Sequence, residues 1–146
     1  MTTVSLQELG WCIKRLQSRN HRLLDAHLGE IGSTLAQWDA LRAIRRSPNA
    51  SSHDLAEATF QTDQSFGALA NRLVDRGLIT RVPGKGRALL HRLTAEGTKM
   101  LRQGNAVAEK MHRATFAPLS EGERAQLLAL IQRLLPQQDL ETDQEP

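Results

Sequence analysis

The sequence has 146 residues, enough for one hydrophobic core and too few for two independent ones. Its apolar content is 40% and its charged content 24%, with two Trp, three Phe and no Tyr; that is a globular composition, too poor in rings for the usual sandwich or barrel, and it argues against an all-β fold. Net charge is +3, but residues 137–146 hold Asp139, Glu141, Asp143 and Glu145 and no Lys or Arg, leaving 19 basic against 12 acidic residues, or +7, in the body.

A basic body suits a polyanion such as nucleic acid or an anionic membrane surface, or else is a solvated surface. The acidic tail, residues 137–146, is expected to be disordered. One cysteine, Cys12, cannot form an internal disulfide, so nothing points to an oxidising compartment. Residues 1–9 lack the basic and apolar pattern of a signal peptide, and no run approaches the roughly 18 apolar residues of a membrane span. The expectation is a cytoplasmic protein that does not enter a membrane.

Along the chain, Leu6, Leu9, Ile13, Leu16, Leu23, Leu24, Leu28 and Ile31 recur in three- and four-residue steps, which predicts a long first helix near residues 5–29 ended by Gly29 and Gly32. Thr34 can cap a second helix, with Leu35, Trp38, Leu41 and Ile44 on one face until Pro48. Ser51 and Asp54 have capping-box spacing before a short helix containing Leu55 and Ala56. Thr62, followed by Asp63, starts another, with Phe66, Leu69, Ala70 and Leu73 inward and Gly77 at its end. Leu78 to Val82 and Leu89 to Leu93 read as two strands around the turn Pro83-Gly84-Lys85-Gly86-Arg87. Thr94 caps a long helix broken by Pro118, and Ser120 with Glu123 opens a last one that runs to Pro136. The order α-α-α-α-β-β-α-α, with a close helix pair followed at once by a hairpin, predicts a mainly α fold: a winged helix-turn-helix flanked by long terminal helices. The organisation expected is a first helix over residues 1–33, the winged lobe over 34–94 and the C-terminal helices over 95–136.

The second helix of the pair is the candidate DNA reader. Opposite its apolar stripe it carries Gln64, Ser65, Ala68, Asn71, Arg72 and Asp75. Gln and Asn can pair with an adenine edge, Arg with guanine or phosphate, and a small Ser or Ala lets a helix approach closely. Thr62, Asp63 and Ser65 lie at its start, where backbone N–H groups favour phosphate. A polar solvent face is the alternative, and the cationic hairpin tip with Lys85 and Arg87 weighs against it, since such a tip can enter a minor groove. Ser52 and His53, at the start of the preceding helix, are further candidates for backbone contact. His21, His27, His91 and His112 are scattered, and without HxxxH or CxxC spacing neither a metal site nor any other cofactor is expected. There is no phosphate-cradling loop, nucleophile elbow or paired carboxylate set, so no enzyme is expected.

These motifs resemble the MarR (multiple-antibiotic-resistance regulator) family. The stretch LAEATFQTDQSFGALANRLVDRGL, Leu55 to Leu78, is similar to its helix-turn-helix, LHRLTAEG, Leu90 to Gly97, to its second wing strand and following helix, and LAQWDALRAI, Leu35 to Ile44, to its second helix. The likeness runs over residues 5–135. It implies a homodimeric, DNA-binding transcriptional regulator, a repressor, clamped by its first and last two helices and placing two winged helices on a pseudopalindromic operator. Two departures stand out: Lys85 takes the place of the Asp in the family's Asp-x-Arg wing, with Arg87 matching the Arg, and Ala68 takes the place of a frequent Arg. The resemblance also implies a small aromatic effector near Trp11, Arg15, His27 and Trp38, although a Trp in a helical bundle is commonly core. Cys12, on the first helix beside Lys14 and Arg15, matches a redox-sensing branch in position but without that branch's tyrosines; a lone cysteine there is otherwise a small hydrophobe. The alternatives to a ligand-responsive repressor are a winged-helix protein-interaction module and a Cys12-based redox sensor.

Overall fold

The structure, a computed structural model, describes residues 3–137. Its elements are α1 (Leu6–Glu30), α2 (Leu35–Arg46), α3 (Ser52–Ala58), α4 (Asp63–Asp75), β1 (Ile79–Pro83), β2 (Leu89–Leu93), α5 (Ala95–Phe116) and α6 (Glu121–Leu134). The acidic tail lies almost wholly outside the described residues. The chain divides into two compact units, Met1–Met111 and His112–Pro146.

Local capping chemistry sets most of the boundaries in the first unit. Thr34 Oγ1 accepts the Gln37 N–H at 3.1 Å, and Asp25 reaches over from α1 to accept the Leu35 N–H at 2.8 Å. Two orphan donors at the start of α2 are thereby satisfied. Ser51 and Asp54 form a reciprocal capping box on α3. At the end of α4, Gly77 has φ +71, the Leu78 N–H reaches Leu73 O at 2.9 Å and the Gly77 N–H reaches Val74 O at 2.9 Å. This is a Schellman motif. It takes up Leu78, so β1 begins at Ile79, one residue later than the apolar run predicts.

β1 and β2 pair antiparallel, with Ile79 opposite Leu93, Arg81 opposite His91 and Pro83 opposite Leu89. Thr94 then fastens the hairpin base to α5. Its N–H donates to Leu78 O at 3.0 Å, and its hydroxyl donates to Gly77 O at 2.6 Å while accepting the Gly97 N–H at 3.0 Å.

The core of this unit runs from Leu24 to Met111, and Leu28, Leu41, Leu55, Phe66, Leu73 and Ile79 are its largest fully buried side chains. α5 comes close because it carries glycine where it meets the lobe. A Cβ at Gly97 would lie 1.9 Å from Leu78 O, and one at Gly104 would lie 2.3 Å from Trp38 Cδ1. By contrast the first half of α1 is exposed, including Leu6, Leu9, Trp11, Ile13 and Leu16.

In the second unit the C-terminal end of α5 leads through Pro118 to α6. Ser120 and Glu123 form a second reciprocal capping box, and Arg124 Nε donates to Phe116 O at 3.1 Å. No residue of α6 is buried, and Leu128, Leu130, Ile131 and Leu134 are exposed.

The glycines give opposite expectations. Gly97→Ala drives a methyl into a backbone carbonyl and should destabilise the protein by about 1–3 kcal/mol. A Cβ at Gly67 on α4 meets nothing within 4 Å, so Gly67→Ala should stabilise it by about 0.5–1 kcal/mol through helix propensity. Urea midpoints of the two variants measure both effects.

His91 should make the lobe acid-sensitive. It is buried with Nδ1 unpartnered, and burial, then the Arg81 charge, holds its pKa below the ordinary value. The unfolded chain therefore binds the proton more readily, so stability should fall as pH drops below about 6.5. In thermal melts between pH 7.5 and pH 5, His91→Phe should show a smaller drop in Tm than the wild type.

Candidate nucleic-acid interface

α4 is held by one stripe. Phe66, Leu69, Ala70 and Leu73 are buried, which fixes the rotation of the helix about its own axis. Gln64, Ser65, Ala68 and Arg72 are consequently all exposed, as are Thr62 and Asp63 at the helix start.

The wing is tied to this helix from within. The His91 ring on β2 packs edge-on against Phe66, with centroids 5.9 Å apart and planes at 85°. At the wing tip the Gly84 N–H donates to Ala88 O at 2.8 Å, and Gly86 supplies a left-handed φ of +64. Lys85 and Arg87 are exposed on this tip.

Hydrogen bonds distinguish the sequence-predicted residues from one another. The Thr62 hydroxyl accepts the Ser65 N–H at 3.1 Å and donates to Ser65 Oγ at 3.0 Å. Thr62 is thus occupied as the N-cap, while the Ser65 hydroxyl keeps its own proton to donate outward. His53 and Asp63 pair with each other, Nδ1 to Oδ1 at 2.8 Å, and His53 Nε2 lies 3.3 Å from Glu57 Oε1. The pair joins α3 to the first turn of α4. The Asp63 hydrogen bond and charge, then Glu57, raise the His53 pKa above its ordinary value. Ser52 is exposed at the first turn of α3.

Other arginines are engaged in hydrogen bonds between elements of the lobe. Arg76 Nη1 donates to Gln37 Oε1 at 2.7 Å, and Arg92 Nη1 donates to Pro48 O and to His91 O. Arg81 Nη2 donates to Asn71 Oδ1 at 2.6 Å, linking β1 to the outer face of α4. Arg72, Lys85 and Arg87 are exposed and form no such tie among the described residues. The Arg81–Asn71 link carries no sequence signal, because the two residues lie ten apart on different elements.

Of the residues considered for an effector, the structure brings three together. Trp11, Cys12 and Arg15 line a shallow, cationic groove on α1 that Lys14, Arg19 and Arg22 continue, and Lys14 Nζ lies 5.6 Å from the Trp11 ring centre. His27 lies further along α1, 3.7 Å from Glu30. Trp38 is elsewhere: it is 5% exposed, donates from Nε1 to Asn105 Oδ1 at 3.0 Å, and has the Arg42 guanidinium 4.5 Å from its ring centre. Its ring is core, for the reason that governs most bundle tryptophans. Among the described residues no three His, Cys, Asp or Glu side chains cluster as metal ligands, and no helix is long and apolar enough to cross a membrane.

The MarR family profile matches residues 31–88, from the end of α1 through the wing tip. The Mycobacterium tuberculosis HTH-type transcriptional repressor Rv2887 is 27% identical over 86% of this chain and 92% of its own length. A structure of a probable transcriptional regulator from Pseudomonas aeruginosa is 30% identical, covers 86% of this chain and 96% of its own, and superposes with a TM-score of 0.74. An Escherichia coli MarR mutant solved in complex with operator DNA is 25% identical, covers 88% of this chain and 94% of its own, and superposes with a TM-score of 0.79. This chain belongs to the MarR family. Its winged lobe and its long α1 and α5 are those of the family's winged-helix fold.

In this MarR-family chain the His53–Asp63 pair places a titratable cation at the edge of the candidate interface. Protonated His53 adds positive charge there and neutralises Asp63; the charge is present below the ordinary value near 6.5 and lost as pH rises through the raised pKa. Affinity for duplex DNA, measured by fluorescence anisotropy at constant salt, should therefore weaken from about pH 6 to pH 8. His53→Gln should flatten that dependence.

Proposed function

We propose that this chain is a dimeric, sequence-specific DNA-binding transcriptional regulator, a cytoplasmic repressor whose grip on DNA responds to a small aromatic ligand. The observation that carries the reading is the exposed face of α4, with Gln64, Ser65, Ala68 and Arg72, on the same lobe as an exposed wing tip bearing Lys85 and Arg87. Gln64 can read an adenine edge and Arg72 a guanine or phosphate. Ala68 lets α4 settle closely into a major groove, and the Ser65 hydroxyl and Ser52 suit phosphate oxygens. Lys85 and Arg87 provide charge without the orienting Asp of the usual family wing, which suits a phosphate or minor-groove contact of low sequence selectivity. The likeness to a MarR protein solved with operator DNA supports this assignment.

A second copy of the chain is the natural cover for its exposed apolar helices. α1 leaves Leu6, Leu9, Ile13 and Leu16 in solvent, and α6 leaves Leu128, Leu130, Ile131 and Leu134. In a twofold dimer the two α4 helices would meet successive major grooves of an inverted repeat. The structures of Rv2887 with p-aminosalicylic acid and with salicylic acid support an aromatic effector for this chain. The α1 groove has matching chemistry, with Trp11 to stack on a ring and Arg15 to pair with a carboxylate.

The experiment is an anisotropy titration against duplexes tiling the region upstream of the chain's own gene, with a shuffled control, at several salt concentrations. Specific regulation requires one tile to bind about 10³-fold or more tighter than the control. Negligible binding even at low salt would replace this reading with a protein-interaction module. Arg87→Ala should weaken all duplexes alike and lower the salt slope by about 1 for each phosphate the side chain neutralises. Gln64→Ala should instead change the sequence preference, costing about 1–3 kcal/mol on the preferred tile and little on the control.

A further inference from the structure

The turn between α3 and α4 contains an anomaly that neither the fold nor the interactions above use. α3 ends in a Schellman motif: the Gln61 N–H reaches Ala56 O at 2.8 Å and the Phe60 N–H reaches Glu57 O at 3.1 Å. The residue after the C-cap in such a motif takes a left-handed conformation and is usually glycine, as Gly77 is at the end of α4. Here it is Phe60, with φ +55, the one non-glycine residue with positive φ among those described. A bulky side chain in this region is strained, and strain of this kind persists only where the surrounding structure imposes it and clusters at functional sites.

The backbone bonds of the motif hold the conformation, but nothing in the packing calls for a ring there. Phe60 is 99% exposed, so its ring makes almost no packing contribution. Between Arg46 and Ala88 no other Phe, Leu, Ile, Val or Trp side chain is exposed, and the next along the chain is Leu89 on the wing, 52% exposed. That isolation bears on the partner. A protein interface needs a patch of about 800 Å² per side with an apolar centre, which a lone ring among polar residues does not supply. DNA presents small apolar targets that one ring can cover: the thymine 5-methyl group and the face of a deoxyribose. Phe60 also stands two residues before Thr62, the N-cap of α4, and four before Gln64. The carboxylates nearest in sequence, Glu57 and Asp63, are both engaged by His53, which reduces the repulsion that phosphates would otherwise meet beside the ring.

We propose that Phe60 is an apolar DNA contact, its ring seated on a thymine methyl or deoxyribose face beside the first turn of α4. This inference rests on the DNA-binding reading above and gives the exposed ring at a strained position a use.

The test uses a duplex enriched by the full-length wild-type chain from a randomised library, with Phe60→Gly, Phe60→Asn and Phe60→Leu. Gly and Asn both accept the left-handed conformation and remove the ring, whereas Leu keeps an apolar side chain. Phe60→Gly should raise Tm by about 2–4 °C as strain is relieved, yet it and Phe60→Asn should bind the duplex about tenfold more weakly. Phe60→Leu should stay within about threefold of wild type, and the salt slope should not change in any variant, since the ring neutralises no phosphate. Replacing dT by dU throughout the duplex identifies the target. Equal weakening of wild type and the Gly variant assigns the ring to deoxyribose, and weakening confined to wild type assigns it to a thymine methyl. Wild-type affinity in the Gly and Asn variants overturns the proposal and frees the ring for a protein partner. A lower Tm in Phe60→Gly overturns it by making Phe60 a folding residue, and a changed salt slope overturns it by making the effect electrostatic. Failure of the wild-type chain to enrich any duplex overturns this inference and the DNA-binding reading together.

Discussion

The buried stripe of α4 is the constraint from which the candidate interface follows. Phe66, Leu69, Ala70 and Leu73 lie on one side of the helix and are at most 3% exposed. Turning the helix by one residue, about 100°, would put Phe66 in solvent and bring polar residues into the core. Burying one such large side chain is worth about 1.5–3 kcal/mol, and a polar group buried without a partner costs a comparable amount. The outward set, Gln64, Ser65, Ala68 and Arg72, is therefore dictated by what the core holds. Phe66 also receives the His91 ring edge-on, so one residue sets both the rotation of α4 and the seat of the wing against it.

Arginine is put to two different uses in this lobe. Arg76 joins the end of α4 to Gln37 of α2, Arg81 joins β1 to Asn71, and Arg92 joins β2 to the carbonyl of Pro48. These side chains tie the elements of the winged lobe together, and their planar, multiply donating guanidinium suits that role. Arg72, Lys85 and Arg87 are exposed without such ties among the described residues. A count of basic residues thus overstates the donors free to reach a partner, because Arg76, Arg81 and Arg92 keep their charge but commit N–H groups to bonds within the lobe.

α5 joins the winged lobe by close backbone approach. Gly97 leaves the space taken by Leu78 O, and Gly104 leaves that taken by the edge of Trp38. A side chain at either site would hold the helix away, so small residues perform the docking while Thr94 aligns the helix start with the hairpin base. The opposite situation holds in the first half of α1 and along α6, where large apolar residues remain uncovered in the single chain.

The sequence alone determined what depends on near neighbours. Thr34, Ser51, Thr62 and Ser120 cap the helices they were expected to cap, because a capping hydroxyl needs a donor only three residues away. The period of the apolar residues likewise placed the core face of α4, and so the face opposite it. Tertiary structure decided what depends on residues far apart in the chain. It paired His53 with Asp63, which a solitary histidine and an acidic first turn do not announce, and it gave Arg76, Arg81 and Arg92 hydrogen-bond partners on other elements. It placed Trp38, on the apolar stripe of α2, in the core and left Trp11, which lies off the apolar stripe of α1, exposed. It also left Phe60 in solvent, where an aromatic residue between two helices would ordinarily be read as core. Periodicity records which side of a helix is apolar, whereas only packing decides whether that side is covered and by what.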